Sequence, residues 1–78
     1  MLSSDEIKDA MIRFLPIKYD GIRYRRISAY IYRVIETNRP GVYKTALQCE
    51  LVDRKANSVT IADSRKVELD TDGNQADS

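Results

Sequence analysis

The chain of 78 residues contains no histidine and no tryptophan, a single cysteine, Cys49, two prolines and three glycines. Each shortage excludes something. Without histidine, a Ser-His-Asp mechanism and histidine general-base catalysis are unavailable, so Ser3, Ser4, Ser28 and Ser58 have no partner to activate them. Zinc needs several Cys or His ligands, and this composition does not supply them. One cysteine forms no internal disulfide, and burial as a small apolar residue is its expected role. Asp63, Glu68 and Asp70 lie close in sequence but lack the spacing of a calcium loop, and they read as solvated turn residues. Gly21, Gly41 and Gly73 belong to turns or the tail, not to a phosphate-cradling loop before a helix. No apolar run approaches the roughly 20 residues of a membrane span. The opening segment is acidic and does not read as a signal peptide. With an unpaired thiol as well, the expected location is the cytoplasm. No cofactor, metal or catalytic role is expected.

Net charge is +1, but its distribution is uneven. Residues 12–44 carry eight basic and two acidic side chains, between an acidic opening segment and an acidic end. So short a chain has a modest core, for which self-association is a common support.

Local signals divide the chain into elements. Ser3 and Glu6 form a capping-box pair, and Ile7, Ala10, Met11, Phe14 and Leu15 form an apolar stripe at helical spacing. These predict a helix over residues 3–15, stopped by Pro16. From there the period becomes two. Asp20-Gly21 between apolar segments is a hairpin turn signal. Strands are expected over 17–19, 22–36 as one long bent strand, 42–53, 58–62 and 67–69, with a turn at 38–41 and a tight turn or 3₁₀ segment at 63–66. The fold class is α+β: an N-terminal helix followed by a mostly antiparallel five-stranded sheet or a small barrel. The strand lengths and the late short turn resemble those of SH3-like barrels, over roughly residues 16–69, a likeness of fold that carries no function. Residues 1–69 read as one domain and 70–78 as a disordered acidic tail.

Alternation assigns Ile27, Ala29, Ile31 and Ile35 to one face of the long strand and Tyr24, Arg26, Ser28, Tyr30 and Tyr32 to the other. Leu47, Cys49, Leu51, Val59, Ile61 and Val67 are expected to complete the core, with Ile7, Met11 and Phe14 of the helix covering part of it. Arg33 breaks the apolar series, as a position beyond the core's edge or past a bulge would.

The candidate site is the tyrosine and arginine set: Arg23, Tyr24, Arg25, Arg26, Tyr30, Tyr32, Arg33, Tyr43 and Lys44, with Tyr19 nearby. Tyr and Arg are enriched in protein interfaces. The same mixture suits nucleic acid, with cations for phosphates and rings for bases. Tyrosine also covers half-exposed sheet faces without any ligand, and strand arginines pair with acids. The leading expectation is a non-catalytic module that binds another protein or a second copy of itself. The alternative is a nucleic-acid-binding small β-barrel using the same face.

Overall fold

The computed structural model describes residues 1–71. Helix α1 spans Ser4–Ile12, with Ser3 as N-cap. Strands follow at Ile17–Tyr19 (β1), Ile22–Tyr24 (β2), Arg26–Glu36 (β3), Tyr43–Val52 (β4) and Val59–Asp63 (β5). A 3₁₀ turn, Ser64–Lys66, leads into β6 at Val67–Leu69. The strands form two three-stranded antiparallel sheets, ordered β2-β1-β6 and β3-β4-β5. The α+β class holds. No strand pairing closes the two sheets into a barrel among the described residues.

The capping box forms as the sequence predicts. Glu6 N–H donates to the Ser3 hydroxyl at 3.2 Å, and Ser3 N–H donates to the Glu6 carboxylate at 2.9 Å. The helix stops earlier than expected because Phe14 adopts a left-handed φ of 53°. Leu15 N–H then reaches Ala10 C=O at 3.0 Å, and Phe14 N–H reaches Met11 C=O at 3.3 Å, satisfying carbonyls that the last turn leaves open. Phe14 is thereby turned outward and exposed, and Ile7 and Ala10 provide the fully buried helix contacts instead.

Asp20 and Gly21 both take positive φ, as a tight hairpin turn between β1 and β2 requires. The expected long strand is divided at Arg25, so there are six strands. β2 pairs with β1, β3 pairs with β4, and Arg25 N–H bridges the division by donating to Val52 C=O at 2.8 Å.

The largest departure from simple alternation is a bulge at Ser28, where the β3–β4 register shifts between Ile27 and Ala29. One extra residue reverses every side chain beyond it. Tyr30 therefore faces Cys49, on the core side with Ile27 and Leu51, while Ala29 and Ile31 lie on the outer side opposite Glu50 and Gln48. The phase of β5 is also the reverse of that expected. Ala62 faces Cys49 and is buried, whereas Val59 and Ile61 lie on the outer side and are exposed. The core comprises Ile7, Ala10, Ile17, Tyr24, Ile27, Cys49, Leu51, Ala62 and Val67, with Leu2, Met11, Leu15, Tyr19 and Tyr30 packed against it.

The ordered body continues past Leu69. Asp70 is buried, its N–H donates to Pro16 C=O at 3.0 Å, and its carboxylate lies 3.6 Å from Arg23 Nε. The rest of the expected tail, from residue 72 on, lies outside the described residues.

Candidate functional site

The bulge separates the tyrosine and arginine set. Tyr24 is core, with its ring centroid 6.5 Å from that of Tyr19. Tyr30 is half-buried, its hydroxyl 2.9 Å from the Ser4 hydroxyl, so it ties β3 to α1. Arg23 pairs with buried Asp70. Arg26 lies on the outer side of β3, its guanidinium 5.3 Å from the centroid of the Phe14 ring, a cation–π arrangement. Arg25 is exposed at the strand junction. Arg33 donates to the Gln48 side-chain oxygen at 2.8 Å, and Lys44 lies opposite Ile35 on the same outer face. Of the nine residues, Tyr32 and Tyr43 share one exposed face, and Arg33 and Lys44 share the opposite one.

That face belongs to a projecting ribbon. β5 pairs with β4 only as far as the Gln48–Asp63 rung, while β3 and β4 continue together to Glu36 and Tyr43. The last five rungs therefore form a two-stranded arm. The molecule measures 55 × 26 × 21 Å, with a radius of gyration of 14.3 Å. A compact chain of this length scales to about 11.5 Å. The connecting turn is held by the Thr37 hydroxyl, which donates to Val42 C=O at 2.7 Å, and by Gly41 at a φ of 78°.

One face of the arm continues the core face of the sheet. Beyond Ile27, Tyr30, Leu51 and Cys49 come Tyr32 opposite Leu47, Val34 opposite Thr45, and Glu36 opposite Tyr43. Tyr32 is 67% exposed, Tyr43 63%, Val34 57% and Leu47 41%. Glu36 is the one charge on this face. Arg33 and Lys44 occupy the other, beside exposed Ile35. An isolated two-stranded ribbon is marginal in water, and this one carries apolar residues that stay largely exposed. An open groove of about 340 Å³, lined by Thr45, Leu47, Gln48, Asp63 and Arg65 among others, marks where β4 runs past the end of β5.

The sequence signal missed here is Leu47. Hydrophobicity placed it in the core, but its height along the hairpin puts it beyond the last rung of β5. Val34 was missed although alternation alone puts it on the face of Tyr32, because an aliphatic residue does not belong to a set chosen for tyrosine and arginine.

The electrostatics are local. Asp63 is held down to about 2, chiefly by the Arg65 side chain, whose Nη2 lies 2.8 Å from its carboxylate, and by Arg65 N–H. Burial pushes the Cys49 thiol up to about 11, with the charge of Asp63 adding to the effect. A buried, protonated thiol is a packing group, not a nucleophile. Among the described residues no three Cys, Asp or Glu side chains converge as a metal site, and no helix is long and apolar enough to cross a membrane. Compared with protein-family models, curated proteins and solved structures, the chain finds no match.

Proposed function

We propose that this chain is a non-catalytic protein-interaction module whose docking element is the projecting β3–β4 arm. The observation that carries the reading is the continuity of one sheet face: apolar and buried at its base, apolar and exposed along the arm through Tyr32, Val34, Leu47 and Tyr43. Burying two tyrosines with two aliphatic neighbours supplies the aromatic anchors that dominate protein interfaces. The single acid and absent base on that face suit an apolar protein surface better than phosphates, which call for cations. The arginines of the basic segment are spread over several surfaces, and Arg23, Arg26 and Arg33 are already engaged.

Site-specific photo-crosslinking tests the reading. A benzophenone amino acid is placed at Tyr32 or Tyr43, and at Lys55 in the β4–β5 turn as a control, in the cell that makes the protein. Discrete protein adducts, to another protein or to this one, are expected from the first two positions only. An absence of protein adducts at Tyr32 and Tyr43, or an identical pattern at Lys55, contradicts it.

A further inference from the structure

We infer that β3 is a dimer edge: two copies of this chain pair antiparallel along β3, about a two-fold axis at Val34, and join their β3-β4-β5 sheets into one continuous sheet. The inference rests on the docking reading above and names one occupant of the arm, seated along its β3 edge beside Tyr32 and Val34. In the sheet order β3-β4-β5, β3 has β4 on one side and no strand on the other among the described residues. A strand edge presents alternate N–H and C=O groups outward, and proteins normally block it with proline, charged side chains (lysine above all) or a bulge. The stretch Tyr32–Glu36 has no proline or lysine, its two charges, Arg33 and Glu36, are of opposite sign, and the one bulge of β3 lies at Ser28, nearer its base.

Symmetry and charge narrow the geometry. A strand that pairs antiparallel with its own copy places the axis at a residue that faces itself. Residues Tyr32–Glu36 are all exposed, and the stretch centres on Val34. Val34 then meets Val34 of the second copy. Tyr32 meets Glu36 of the second copy, where a phenol hydroxyl can donate to a carboxylate, and symmetry makes that contact twice. Arg33 meets Ile35 of the second copy. An axis at Arg33 would instead oppose two guanidinium groups, which destabilises a ladder. The stretch carries one base and one acid, so the two edges do not repel. Pairing of β3 with β5 of another copy would leave free edges and propagate into a filament, whereas β3 with β3 closes. Carried through Ile31 and Thr37, the ladder has a length of about 23 Å. A ladder this short is a small interface beside the roughly 20–30 residues a side of a stable complex, so the dimer is expected to dissociate on dilution.

The test uses the whole chain. Sedimentation equilibrium is measured across concentration for the native protein and for Val34→Lys, with circular dichroism to confirm that the variant folds. Separately, Val34→Cys and Leu47→Cys are oxidised or treated with a short thiol crosslinker, the buried native Cys49 serving as background. The expected result is a mass that doubles with concentration, a folded Val34→Lys chain that stays single, and trapping of Val34→Cys ~10-fold faster than Leu47→Cys, since close Cβ atoms are needed. A single-chain mass at every concentration overturns the inference. So does a dimer that survives Val34→Lys or is trapped through Leu47→Cys instead. A monomer that still gives photo-adducts with another protein from Tyr32 overturns the dimer and leaves the docking reading intact. Loss of all those protein adducts removes the docking reading itself.

Discussion

The Ser28 hydroxyl donates to the Glu50 carboxylate at 2.7 Å across the β3–β4 pair, at the point where β3 carries its extra residue. The same hydroxyl lies 3.3 Å from Glu50 C=O. This contact pins the bulge, and the bulge decides which side chains of β3 face the core. Ser28→Ala should cost about 1.5–3 kcal/mol, the range for a hydrogen bond to a charged group. A urea titration reads this directly, and an unchanged midpoint would show that the contact does not hold the bulge.

Height along β4 separates two leucines that sequence alone treats alike. Leu51 faces Ile27 and is buried, whereas Leu47 faces Tyr32 on the arm. Leu51→Ala should cost about 2–5 kcal/mol as a core cavity. Leu47→Ala should cost about 0.5 kcal/mol, as a surface change does. Equal losses in the two titrations would mean that the arm is packed.

Much of the fold was legible from the sequence, and the parts that were not have physical causes. The Ser3–Glu6 capping box, the Asp20-Gly21 turn and the turn before Val42 are local chemistry, written in adjacent residues. The early end of α1 was hidden because Phe14 occupies a left-handed position that glycine normally fills. The faces of β3 were hidden because a bulge carries no reliable sequence mark, and Ser28 does not look like one. Those of β5 were hidden because Val59 and Ile61 are more apolar than Ala62, yet pairing with Cys49 puts Ala62 inside. For the candidate site, Tyr32 and Tyr43 were found by composition, while Tyr24 and Tyr30 shared that composition and went to the core side.

Acid should weaken the fold through three carboxylates. Asp63 is lowered from 3.8 to about 2 by Arg65. Asp53 is lowered mainly by the N–H of Asn57, and Glu6 mainly by Ser3 N–H. Each folded-state value lies below the unfolded one, so the ionised form is favoured by folding. The contribution is complete above about pH 5 and is lost as pH falls toward 2. All three groups are at the surface, so the effect is screened by salt. Urea midpoints at pH 5 and pH 2.5 should fall with acid, and Asp63→Asn should reduce the drop. A midpoint that rises on acidification would contradict the assignment.

Cys49 should be silent in the native protein. Its thiol is buried and raised to about 11, so at neutral pH it is protonated and shielded. Reaction with a disulfide reagent should run ~100-fold slower than in the urea-unfolded chain, at a rate set by local opening. Rapid native modification would show that the core around Ala62 and Leu51 is open.

The central claim is that the exposed face of the arm is a protein-docking surface. Sedimentation of the native chain and of the Val34→Lys variant, at low and high salt and with a mixed single-stranded oligonucleotide, tests it most directly. The account predicts a mass that rises with protein concentration, ignores both salt and oligonucleotide, and returns to that of one chain in the variant. A mass that stays at one chain until the oligonucleotide is added, then falls back at high salt, would contradict it and assign the surface to nucleic acid.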